Sequence, residues 1–170
     1  MRCRCASRRR SRRWRLAPTA AARRWWAGEV VTGSFRELRF DQIQLADRPI
    51  QDPLEVWLGG IAPAALERVA TLADGWLTAA ATPLEAGAGR KTITQRASEL
   101  GRVVDHEHFG ISIPFSVEPP SDETLVPLRA RRKDRDLTNI LAVGKDGLRQ
   151  LVNAHIDQGL SKFVVRPATA

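Results

Sequence analysis

Two glycines, Gly59 and Gly60, stand between an apolar run (Val56-Trp57-Leu58) and a segment that reads as a helix. That arrangement suits phosphate chemistry. Glycine lets the backbone approach a phosphate closely, and the N–H groups at the start of the following helix can face the anion. Pro63 fits the first helical turn, where its missing N–H costs nothing. Leu66, Val69, Ala70 and Ala73 fall on one helical face, Asp74-Gly75 closes the helix, and Trp76-Leu77 starts a second strand. Most Gly-Gly pairs before a helix are only turns. The whole unit is strand, turn, helix, strand, the building block of parallel α/β folds.

Other reactive groups are sparse. His106, His108 and His155 are candidate acid–base groups only because histidine as a residue type changes charge near neutral pH. The first two sit in a polar loop over 105–108 and the third on a helix, so structural roles are expected for all three. Cys3 and Cys5 are the only cysteines, too few to complete a metal site, and no metal is expected. There is no P-loop, no His-Glu-x-x-His and no Gly-x-Ser-x-Gly. No catalytic residue can be named from residue types alone.

The segment from Val56 to Leu77 resembles the luciferase-like monooxygenase family, the flavin- or coenzyme F420-dependent oxidoreductases built on a TIM barrel. The shared pattern is an apolar strand, Gly-Gly, a helix rich in Ala and Arg, then Asp74-Gly75-Trp76-Leu77. The likeness extends to Trp26-Ala27-Gly28-Glu29-Val30-Val31 with Gly33 and Phe35, and to the last helix and strand, Ala154 to Val165. It implies hydride transfer between a deazaflavin or flavin and an unknown organic small-molecule substrate. The coenzyme would lie across the carboxyl end of the barrel, where active residues belong. By resemblance Gly59, Gly60 and Thr78 would contact the cofactor or its phosphate; Arg166 at a strand end would pair with an anionic cofactor tail or, equally, be a surface residue. Asp74 and Gly75 are the most family-like pair; Asp74 is read first as a helix-end and turn residue, with a cofactor contact as the alternative. Trp57 and Trp76 are read as barrel core first, with stacking on the cofactor ring as the alternative. The ending Leu160 to Pro167 resembles a deazaflavin-using branch, so coenzyme F420 is preferred, with FMN as the alternative.

At 170 residues the chain suits one domain. A whole TIM barrel needs about 250 residues, with about 200 as the lower limit. The expectation is therefore an α/β fold forming part of a (β/α)8 barrel, roughly its last four β-α units, over residues 25–170. Residues 1–24 would be a disordered basic tail. Such a partial barrel is expected to be a fragment, or to pair with a second copy or with a partner that supplies the missing half, and not to turn over substrate alone.

The net charge of +8 comes from that tail, which holds ten arginines and no acid. The remainder has 17 basic and 19 acidic residues, a net of −2. An arginine cluster attracts phosphates, so nucleic-acid binding is an alternative; a solvated tail or translated sequence foreign to the barrel is preferred. No run reaches transmembrane length, no secretory core is present, and a cytoplasmic protein without membrane partners is expected.

Strands are expected at Val56–Leu58, Trp76–Thr78, Phe109–Val117 and Lys162–Val165, numbered fifth to eighth by resemblance. Gly33 to Phe40 reads as an exposed strand or hairpin arm. Helices are expected over Ala64–Ala73, over Lys91–Leu100 with Gly101 past its end, after a Ser121 cap, and after an Asp146 cap. The last would carry Leu148, Leu151, Val152, His155 and Ile156 on one face and end at Gly159. Pro83 to Gly89 reads as a loop, Pro114 as a bulge or an incompletely paired strand, and Arg129 to Arg135 as a solvated charge run. For Arg131-Arg132-Lys133, phosphate binding is the lesser alternative.

Overall fold

The computed structural model describes residues 19–35, 38–132 and 136–168. Cys3, Cys5 and most of the arginine tail lie outside these residues. Residues 19–26 are helical (α1), so regular structure crosses the expected boundary at 24/25. The chain divides into two compact units, Met1–Glu55 and Val56–Ala170.

In the first unit Val31–Phe35 (β1) and Leu38–Ile43 (β2) pair as antiparallel strands. The alternating stretch read over 33–40 thus spans both arms. Trp25, on α1, packs its ring edge-on against Phe40 at 5.2 Å between centroids, and its indole N–H donates to the Ile43 carbonyl at 3.1 Å.

The second unit is a parallel sheet with helices. Its elements run Trp57–Leu58 (β3), Pro63–Leu72 (α2), Gly75–Ala79 (β4), Pro83–Glu99 (α3), Phe109–Ser116 (β5), Asp122–Arg131 (α4), a 3-10 turn at Leu137–Asn139, Ala142–Val143 (β6), Gly144–Ile156 (α5) and Lys162–Pro167 (β7). β3, β4, β5 and β7 lie side by side, all parallel, and short β6 continues the edge of β5 beyond the end of β4. Among the described residues, β3 and β7 have no strand on their outer edges.

Alternation sorts the strands into two faces. Trp76 and Thr78 on β4, and Phe109, Ile111 and Ile113 on β5, are buried. Trp76 meets Gly89 of α3 close to Leu66 of α2, so this face carries the core shared with the helices. Gly75, Leu77 and Ala79 on β4, and Gly110, Ser112, Pro114 and Ser116 on β5, take the other face. Register pairs Gly110 with Lys162, Ser112 with Val164, and Pro114 with Arg166, which places these β7 residues on that other face too.

Several expectations are corrected. The stretch 83–89 is not a loop but the first half of α3. A reciprocal cap opens that helix: Thr82 Oγ1 accepts from the Glu85 amide, and the Glu85 carboxylate accepts from the Thr82 amide. Pro83 takes the first position. Ala86, Gly87 and Gly89 are then buried because small residues let α3 sit close to its neighbours: a Cβ at Gly89 would come within 2.8 Å of Trp76.

Pro114 causes no break, since β5 and β7 stay in register from Gly110 to Phe115. Phe109 and Phe115 carbonyls accept from Ser161 and Ala168, on the β7 side, while the His108 carbonyl accepts from Trp76 of β4. Odd residues therefore bond toward β7 and even ones toward β4. The missing N–H of Pro114 points to where β4 has already ended, at the Ala79–Ser112 pair.

Asp146 does not cap α5. The helix starts at Gly144 with Val143 as its cap, and Asp146 lies in the first turn. Leu151 and His155 are buried, but Ile156 is half exposed, as is Leu100 after α3. Ser121 caps α4 as expected, accepting from the Thr124 amide. Gly101 and Gly159 take positive φ (67° and 83°) at the ends of α3 and α5.

Candidate functional site

In a parallel sheet all carboxyl ends lie along one edge, and loops from that edge build binding sites. Here that edge carries Gly59-Gly60 after β3, Ala80 after β4, and Arg166 near the end of β7.

Each glycine of the pair has a local reason. A Cβ at Gly59 would sit 2.6 Å from the Leu77 carbonyl oxygen of the neighbouring strand. Gly60 takes a φ of +95°, which favours glycine. The turn is held from behind by the Trp76 indole N–H, which donates to the Gly60 carbonyl at 3.0 Å. α2 begins two residues after Ile61, and no side chain caps its N-terminus. Pro63 has no N–H and the Ala65 amide donates to the Ala62 carbonyl at 2.7 Å, so in this first turn the Ala64 amide is the one left to a ligand or solvent.

The loop after β4 is also tied down. Ala80 has a φ of +51°. Its carbonyl accepts from Arg132 Nε, and the same guanidinium meets Glu85 Oε2 at 3.3 Å. The Arg132 side chain is only 12% exposed. Within the run read as solvated, Arg132 instead locks the end of α4 onto the start of α3. Lys133, Asp134 and Arg135 lie outside the described residues. A cavity of about 520 Å³ opens nearby, lined by Pro83, Pro120, Leu125, Leu141 and Leu151 among others, with no charged side chain among them.

Arg166 reaches across the face turned away from the helices. Its Nε donates to Ser112 Oγ at 2.8 Å. Ser112 is 8% exposed, whereas Arg166 is exposed.

The other expected residues fall elsewhere. Thr78 lies near the carboxyl end of β4, but its side chain shares the face of Trp76, toward the helices. It is 1% exposed, and its hydroxyl has no hydrogen-bond partner among the described residues. Asp74 and Gly75 sit at the opposite, amino end of β4, about 10 Å from Thr78 along the strand at ordinary strand rise. Asp74 Oδ2 accepts from the Val56 amide at 2.8 Å, which fixes the entry to β3. Gly75 makes room for the Trp57 indole, whose atoms a Cβ would meet at 2.4 Å. The structure thus brings Gly59, Gly60 and Arg166 to one end and sets Asp74 and Gly75 at the other. Trp76 is fully buried core, while Trp57 is half-buried on the opposite face, against His108.

His108 lies at the same amino end as Asp74, with Nδ1 3.0 Å from the Asp74 carbonyl oxygen. His106 is exposed beside Asp105 at 3.1 Å. The Asp105 carboxyl is held below the usual carboxylate range, mainly because it accepts from the Glu107 amide. His155 is 1% exposed with Nδ1 unpartnered among the described residues, and burial lowers its pKa to about 4. Among the described residues no group of three or more His, Cys, Asp or Glu could hold a metal. No described helix is long and apolar enough to cross a membrane.

Sequence reasoning missed Ser112, the ties from Arg132 to Ala80 and Glu85, and the bond from Trp76. Only the last had a local signal: an indole needs a partner for its N–H when buried.

A family model described as luciferase-like monooxygenase matches residues 19–150. Among solved structures, the chain is similar to an F420-dependent secondary alcohol dehydrogenase in complex with an F420-acetone adduct. Identity is 16%, TM-score 0.71, with 90% of this chain and 55% of that one covered. It is also similar to the coenzyme F420-dependent tetrahydromethanopterin reductase from Methanopyrus kandleri, at 16% identity and TM-score 0.65, covering 90% and 56%. The monooxygenase RslO1 from Streptomyces bottropensis follows at 19% identity and TM-score 0.57, covering 87% and 51%. At these identities the likeness is one of fold, and the chain spans about half the length of the solved structures it matches. No curated protein matches the chain.

Proposed function

The chain belongs to the luciferase-like monooxygenase family, and from that premise we propose that it serves hydride transfer between a phosphorylated deazaflavin or flavin and an organic small molecule. Coenzyme F420 is the preferred coenzyme and FMN the alternative; two of the solved structures similar in fold are described as F420-dependent. A cytoplasmic setting belongs to the same proposal.

The observation that carries this reading is that the Gly59-Gly60 turn, a helix start without a side-chain cap and Arg166 lie at the same, carboxyl end of one parallel sheet, on its two outer strands. These groups fit a phosphorylated coenzyme. The glycine turn and the Ala64 amide at the start of α2 would hold phosphate oxygens, and Arg166 would neutralise an anionic group. Trp76 fixes the turn, and Arg132 with Glu85 fixes the adjoining loop. Thr78 enters the proposal through its backbone, and Asp74 and Gly75 as the frame that sets the two strands. When bound, the coenzyme supplies the hydride donor or acceptor; the protein positions it and excludes water.

Fluorescence titration of the purified chain with F420, FMN and riboflavin tests the proposal. Saturable binding of F420 or FMN, at least tenfold tighter than riboflavin, is expected for phosphate-dependent recognition, roughly the effect of one charge-assisted contact. Equal binding of FMN and riboflavin, or none by any of the three, contradicts it.

A second reading has its own observation: β3 and β7 each have a free outer edge among the described residues, and Val164 and Val165 on β7 are exposed. We propose that these edges pair with a complementary half barrel, from a second copy or a partner. Light scattering on the purified chain that shows only a single copy at high concentration counts against self-pairing.

A further inference from the structure

We propose that Ser112 and Arg166 form one oxyanion-recognition unit, in which the serine aims the guanidinium so that its two terminal nitrogens receive a carboxylate or phosphate. This deepens the proposed function and rests on it for the identity of the ligand, but not for the existence of the anion site.

The argument begins with the strand pattern. On the face turned away from the helices, β5 presents Gly110, Ser112, Pro114 and Ser116. None is larger than proline, so a long side chain from β7 can lie across this row. Arg166 is paired in register with Pro114 and leans back one step toward the amino end to reach Ser112. Ser112 is more than nine-tenths buried and accepts from Nε at 2.8 Å.

A guanidinium offers five N–H donors in a fixed fork. With Nε committed to Ser112, the remaining paired edge is the end-on one, from Nη1 and Nη2. That edge matches two oxygens of a carboxylate or phosphate. Among the described residues no carboxylate forms an ion pair with Arg166. Ser112 is therefore a positioning residue: it restricts the rotamers of Arg166 before the anion arrives, which reduces the entropy lost on binding.

The test follows the Arg166 Nε–H signal by nitrogen-15 NMR on the full chain, assigned by its loss in R166K. Inorganic phosphate and sodium acetate are the probes. The expected result is a sharp Nε–H signal that shifts saturably with at least one anion. S112A should broaden that signal and weaken the anion about tenfold, the usual worth of one such bond. R166K keeps the charge but not the fork and should weaken the anion to a similar extent, read in all three proteins from the backbone amide shifts of Val164 and Val165, because the Nε–H signal goes with the arginine. Thermal melting checks that both variants fold, and R166K carries the test if S112A does not.

Tighter phosphate than acetate assigns the unit to a phosphoryl group; the reverse assigns it to a carboxylate. No saturable shift with either anion, or equal affinity in wild type, S112A and R166K, overturns the proposal. If F420 and FMN fail to bind while the anion response and its loss in S112A persist, the coenzyme reading falls and the anion unit stands.

Discussion

Thr78 and His155 carry the sharpest consequences at the scale of single residues. The Thr78 hydroxyl is buried without a partner among the described residues, on the helix side of β4. Leaving such a group unpaired costs about 1–3 kcal/mol. T78V keeps the shape and removes the hydroxyl. It is expected to raise stability by about 1 kcal/mol in urea unfolding, with coenzyme affinity unchanged. Weakened binding would instead give the side chain a ligand role. His155 is held neutral by burial, with its pKa lowered to about 4. The unfolded chain takes up that proton near the ordinary value of about 6.5, so between the two values the unfolded state binds more protons. Stability is then full above about pH 6.5 and falls as pH drops toward 4. Unfolding at pH 7.5, 5.5 and 4.5 should show that loss, and H155L should show less of it. Equal pH dependence in both proteins would remove His155 as the cause.

At the scale of elements, the site depends on a few ties that lock loops to strands. W76F removes the bond to the Gly60 carbonyl and some ring volume. It should cost about 1–2 kcal/mol and weaken coenzyme binding, because the glycine turn loses its anchor. D74A should cost a similar amount by orphaning the Val56 amide, yet leave coenzyme affinity within twofold (about 0.4 kcal/mol), since Asp74 sits at the far end of β4. Melting and titration on both variants separate frame from site. The β3-α2-β4 unit was legible because its signals are local: Pro63, an apolar helical face and two glycines in about twenty residues. The opening of α3 was readable too, since Thr82, Pro83 and Glu85 make a capping pattern; the Ala-Gly content of 86–89 obscured it. At α5 an acid two residues inside the helix mimicked a cap, while Gly144 already began the first turn. Ser112 and Arg166 are 54 positions apart, as 47 separate Glu85 from Arg132. Neither pairing leaves a trace in local pattern, because only the sheet order brings those segments together.

At the scale of the whole molecule, the parallel order β3-β4-β5-β7 does two things. It shares one core with the helices on one face, and it lines up the carboxyl ends of the strands. The first accounts for stability, and the second for the placement of Gly59, Gly60 and Arg166 at one end of the sheet. The family match and the fold of the solved structures agree with that layout, and the central claim is that this end of the sheet receives a phosphorylated redox coenzyme. The most direct measurement is a backbone amide map by NMR during titration with F420, repeated with FMN. The account predicts saturable shifts at Gly59, Gly60 and the first turn of α2, with Asp74 and Gly75 unmoved. Shifts centred on Asp74, Gly75 and His108, or no saturable shift anywhere, would contradict it.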